Sequence, residues 1–130
     1  MPWSKLLSQP PPELKLRFRS GHKRLPEGET LLTVSGAGVA RLERWGGGAR
    51  TVVERGLSLD EVQALFAALA ATGFPEVVLQ TVPPGPGMIA VEVEGGPEQL
   101  PVLMHRSVVR ESPAWSALVD RLDALCARLA

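Results

Sequence analysis

Few side chains in this sequence combine a type and a spacing that would do chemistry, and each has a competing reading as part of a fold. Glu92 and Glu94 stand two residues apart in MIAVEVE, so a strand would carry both carboxylates on one face. Such a pair divides acid and base roles when burial raises one pKa; the flanking residues read instead as a solvated strand surface. Histidine occurs only as His22 and His105 and cysteine only as Cys126. Neither C-x-x-C nor H-E-x-x-H spacing is present, so no metal site is expected. Cys126 falls among Leu122, Leu125 and Leu129 in an apolar helical pattern, where a thiol acts as a small hydrophobe and is a poor nucleophile. TVSGAG lacks the leading glycine of a G-x-S-x-G nucleophile turn and has no helical pattern after it. Tyrosine is absent. The sequence therefore predicts no enzyme, no catalytic residue and no cofactor.

The glycine-rich stretch SGAGVARLERWGGGAR, Ser35 to Arg50, is the remaining candidate for ligand chemistry. A phosphate loop needs G-x-x-x-x-G-K-[ST], with the lysine reaching phosphate and the hydroxyl holding magnesium. No such pair follows either glycine cluster. A dinucleotide fingerprint needs G-x-G-x-x-G at a strand-to-helix junction, and Arg41 stands where the third glycine belongs. VARLERW and RTVVER read as two short strands, with Ser35–Gly38 and Gly46–Ala49 supplying tight turns.

The elements around these residues follow from periodicity. Residues 1–12 read as an extended arm, because Pro10, Pro11 and Pro12 remove three consecutive N–H donors; residues 13–130 read as one domain. ELKLRFRS alternates, with Leu14, Leu16 and Phe18 on one face and Lys15, Arg17 and Arg19 on the other. ETLLTVSG is a second strand. In LSLDEVQALFAALAATGFPE, Ser58 and Glu61 form a capping box and Val62, Leu65, Phe66 and Leu69 one apolar face, closed by Gly73 and Pro75. EVVLQTV, MIAVEVE and LPVLMHR are further strands, the last placed at an edge by Pro101. Ser112 and Pro113 open a second amphipathic helix carrying Trp115, Leu118, Val119, Leu122, Leu125, Cys126 and Leu129. The predicted fold is α+β: one mostly antiparallel sheet of about five to seven strands with both helices on one face.

Residues 1–50 carry nine Lys/Arg against four Asp/Glu, and residues 51–130 carry five against ten. The basic stripe Lys15, Arg17 and Arg19, continuing into His22, Lys23 and Arg24, would neutralise phosphates if it were free. Its face has no aromatic ladder for stacking bases, and pairing with Glu92, Glu94 or Glu43 across strands competes for the same cations. Trp45 borders the triglycine turn and Trp3 lies in the arm; tryptophan serves equally as a binding hot spot and as a cover for the end of a core. No secretory signal or membrane-spanning run is read, which makes a cytoplasmic protein without membrane contact the expectation.

From about Leu14 to Leu125 the order of segments resembles the emfourins, small bacterial inhibitors of thermolysin-like metallopeptidases. The resembling pieces are LRFRSG, SLDEVQALFAALAATGFPE, MIAVEVEGG, LPVLMH and SPAWSALVDRL. His22 stands after Gly21 where that family tends to show a glycine pair, and the hairpin region between residues 30 and 56 is ample. The resemblance implies a protein that binds another protein without chemistry of its own, and it transfers no inhibitory residue. The expected function is thus a non-enzymatic protein-binding module, an inhibitor or regulator of a partner such as a peptidase, with Trp45, Arg17, Arg19, His22, Lys23 and Arg24 as contact residues. Nucleic-acid or anion binding through the basic face of the first strand is the alternative. Monomer and homodimer both stay open, since VVLQTV offers an edge to a second copy.

Overall fold

Alternation in ELKLRFRS puts Leu14, Leu16 and Phe18 on one side of a strand, and burying that side is what organises the rest of the chain. The structure, a computed structural model, describes residues 3–21, 28–76, 87–97 and 101–130. Strands β1 (Lys15–Gly21), β2 (Glu29–Ser35), β3 (Val39–Gly46), β4 (Ala49–Gly56), β5 (Met88–Glu94) and β6 (Val102–His105) form one six-stranded antiparallel sheet in the order β4-β3-β2-β1-β5-β6. In register, Phe18 lies opposite Leu32 on one side and Val91 on the other, Leu32 opposite Leu42, and Val91 opposite Val102. These residues make a continuous apolar row across five strands, and the described long helices pack on that face.

Helix α2 (Leu59–Ala71) starts where Ser58 accepts a hydrogen bond from the Glu61 N–H at 3.2 Å and buries Val62, Leu65, Phe66 and Leu69. Helix α4 (Pro113–Leu129) starts at Ser112, which accepts from the Trp115 N–H at 3.3 Å, and buries Trp115, Leu118, Val119, Leu122, Cys126 and Leu129. Each buried leucine of these stripes contributes about 1.5–3 kcal/mol relative to exposure. The single α+β sheet with both helices on one face is the architecture the periodicity predicts. Among the described residues no helix is long and apolar enough to cross a membrane.

Three local expectations change. Residues 3–8 are not an extended arm: Trp3–Ser8 form helix α1, with Leu6 and Leu7 buried in the core and the Trp3 ring edge-on to Phe74 at 5.1 Å. So short a helix has no stability of its own, and it holds because tertiary burial sustains it. The prolines act only afterwards, where Pro11's carbonyl accepts from the Leu14 N–H at 3.0 Å and lies so near Gly36 that a Cβ there would collide with it. A second unpredicted helix, α3 (Arg106–Val109), follows β6 directly, its start capped by the His105 ring. The capping box of α2 is half formed, since the Glu61 carboxylate accepts from Arg128 Nη2 of α4 at 2.7 Å and so ties the two helices together. The strand expected over residues 76–82 lies, beyond Glu76, outside the described residues.

Candidate functional site

The glycine cluster turns the chain. Gly47 and Gly48 take φ of 58° and 76°, the left-handed pair that a two-residue hairpin loop requires, and nothing approaches the position of a Cβ on either. No helix follows Gly38; β3 does. The hairpin fixes register outward from Gly46 opposite Ala49, so Trp45 faces Arg50, Glu43 faces Val52 and Arg41 faces Glu54.

Odd-numbered residues of β1 to β3 and even-numbered residues of β4 and β5 then share the face away from the helices. No described element covers that face. Its charges are interleaved. Arg17 Nη2 donates to Glu94 Oε2 at 2.6 Å, Arg19 Nε lies 3.1 Å from Glu29 Oε1, and Glu43 Oε1 accepts from both Arg41 Nε at 3.0 Å and Arg50 Nη2 at 3.2 Å. Lys15 sits opposite Glu94, and Glu92 opposite Arg17. Among the described residues the face thus sets Lys15, Arg17, Arg19, Arg41 and Arg50 against Glu29, Glu43, Glu54, Glu92 and Glu94. Within β1, Arg17 and Arg19 are thus paired with carboxylates of β5 and β2.

At the hairpin end of this face the side chains form a transverse row. Arg19 reaches Glu29, which is 8 % exposed; Glu29 lies opposite Trp45; and the Arg50 guanidinium sits over the Trp45 ring, 5.7 Å from its centroid. A charge above an indole face is held by the ring quadrupole, for about 0.5–1 kcal/mol at an exposed site. Past the end of the row a groove of about 410 Å³ runs round the hairpin end of the sheet, lined by Glu29 and Trp45 of this face, by Gly46 and Ala49 of the turn, and by Thr30, Arg44 and Thr51 of the helix-side face. The structure therefore brings Arg19 and Trp45 of the sequence-derived contact set to one end of the sheet. Arg17 is drawn toward Glu94 instead, and His22, Lys23 and Arg24 lie outside the described residues. Glu29 and Arg50 belong to the row without having been singled out beforehand. Two of the three glycines make the loop, and only knowing which two would have matched Arg50 to Trp45.

Among the described residues the remaining chemistry-bearing side chains do not converge. Glu94 is spent on Arg17. Cys126 is buried, and burial, with the charge of Asp123 adding to it, pushes its thiol up to about 11, so it is protonated at neutral pH and a poor nucleophile. His105 Nδ1 lies 2.9 Å from Ser107 Oγ and 3.4 Å from the Ser107 N–H, a contact that belongs to the start of α3. Among the described residues no three His, Cys, Asp or Glu side chains are grouped so as to hold a metal ion. Trp3, the other tryptophan of interest, is taken up by packing on Phe74. No protein-family model matches the chain, and no curated protein sequence matches it.

Proposed function

We propose that this chain is a protein-binding module without chemistry of its own, which engages its partner at the hairpin end of the uncovered sheet face. The observation that carries the reading is the Arg19–Glu29–Trp45–Arg50 row, on a sheet face that no described element covers and at the end of the sheet where a groove opens. A half-buried indole flanked by pre-positioned opposite charges offers large rigid area at little entropic cost, the composition of an interface hot spot. The partner class implied by the emfourin resemblance is a thermolysin-like metallopeptidase, whose inhibition would need only occlusion. The alternative of nucleic-acid binding draws little support from a face whose five described cations are matched by five carboxylates, because counterion release needs uncompensated positive charge.

The test pairs two measurements. The purified chain is titrated into a thermolysin-like metallopeptidase assay, and the tagged chain is used to capture proteins from its source cell, each with wild type and Trp45→Ala. The reading expects capture of a defined partner, or inhibition, that weakens about tenfold or more in the variant. Identical behaviour of the two proteins in both measurements removes the Trp45 end as the contact surface. Retention on mixed oligonucleotides that vanishes with added salt would favour the alternative.

A further inference from the structure

Strand β4 ends the sheet with eight residues, Ala49–Gly56, and only Val53 among them is even partly buried. A two-residue loop makes its closing pair, Gly46 and Ala49, exchange backbone hydrogen bonds, and the pattern alternates from there. Ala49, Thr51, Val53 and Arg55 therefore spend their N–H and C=O groups on β3. Arg50, Val52 and Glu54 direct theirs outward, past the edge. No described strand lies beyond. An edge this long with no proline in it is a template for another strand.

We propose that this edge pairs antiparallel with β4 of a second copy of the chain, about a two-fold axis through Val52. Antiparallel partners share a sheet face, so a two-fold perpendicular to the sheet must be centred on a residue and not between two. Centred on Val52, the pairing sets Arg50 of each copy opposite Glu54 of the other and Val52 opposite Val52. On the helix side Thr51 meets Val53. Centred on Thr51, Arg50 would face Val52; centred on Val53, it would face Gly56. Only the Val52 register matches opposite charges, twice over, and it also pairs the outward-directed backbone groups.

The ion pairs within one copy are arranged to permit this. Two arginines share Glu43, whose side chain is only 15 % exposed and already holds Arg41 at 3.0 Å. Arg50, half-exposed, can turn to a new acceptor without stranding that carboxylate. Glu54 is exposed and makes no ion pair among the described residues. Val52, 41 % exposed, is one of the few large apolar side chains left in water, and the axis would cover it with its own copy. The pairing uses Arg50, which also belongs to the row proposed for a partner, but not Trp45, so Trp45→Ala should leave self-association unchanged while it removes the proposed contact surface.

Sedimentation equilibrium of the full chain, from low micromolar to near-millimolar concentration, tests it. Wild type is expected to dimerise. Arg50→Glu and Glu54→Arg, each checked for its fold by circular dichroism, should weaken self-association about tenfold or more by setting like charges opposite each other. The double variant should recover it, and the two single variants mixed together should form a heterodimer in which every facing pair is again opposite in sign. A wild type that stays monomeric throughout the range overturns the proposal. So does a dimer that neither single variant weakens, or a mixture of the single variants that forms no heterodimer.

Discussion

The two edges of this sheet are built to opposite rules. The β6 edge is four residues long, follows Pro101, and runs directly into α3, where Arg106 grips Asp123 of α4 through both Nη atoms at 2.8 and 3.0 Å and reaches Ser20 of β1 at 3.1 Å. A short strand that starts at a proline and is pinned at its end offers little to a passing chain. The β4 edge is twice as long, proline-free and exposed, and among the described strands it pairs with β3 alone. Both are outermost strands of the sheet, and they differ in length, in exposure and in how their ends are held.

The contrast breaks most severely within β4 itself. Val53→Pro removes an N–H that bonds to β3 and should cost about 3 kcal/mol or more. Val52→Pro removes one that points outward and should cost within about 1 kcal/mol while abolishing self-association. Urea denaturation at concentrations too low for dimers reads both values. Equal losses would mean that the hydrogen-bonding parity assigned to the hairpin is wrong.

At the opposite edge, Arg106→Ala should cost about 1–2 kcal/mol, because it removes a bidentate charged hydrogen bond and a contact to Ser20, discounted for the partial exposure of both partners. Arg50→Ala, a surface change, should alter monomer stability by less than about 0.5 kcal/mol. Comparison of the two denaturation midpoints decides whether the β6 end is truly the pinned one; similar shifts would erase the distinction.

The smallest effect is one of pH. The Cys126 thiol titrates higher in the folded chain, near 11, than its ordinary value of 9.0. A group whose folded pKa is raised contributes stability that is fully present below the unfolded value and lost as pH climbs through the folded one. Wild type should therefore lose stability between about pH 9 and 11 more steeply than Cys126→Ser. Alkylation of the thiol at pH 8 should be slow until denaturant is added. Parallel stability curves for the two proteins would show that the thiol does not sense its burial.

Much of the sheet was legible because period-two alternation in LKLRF and IAVEV can be satisfied only by burying one face. Both long helices announced themselves through Ser58 and Ser112 and their apolar stripes. The two short helices did not, since α1 and α3 owe their existence to Leu6, Leu7 and Val109 entering a core assembled by other segments. Of the candidate site, Trp45 and Arg19 could be nominated by residue type alone. Glu29 could not, because nothing local distinguishes a glutamate at the start of β2 from any solvated one; its burial comes from Arg19 on one side and Trp45 on the other.

The sequence by itself determined which side of each strand faces inward, where the long helices begin, and that the glycines make turns, because all three follow from local sterics and from spacings of two or four residues. Only the tertiary structure decided which charges meet. The basic stripe of β1 finds its carboxylates on β2 and β5, Arg50 arrives over Trp45, and β4 is left at the margin, because strand order and register join residues whose separation along the chain carries no trace of the pairing.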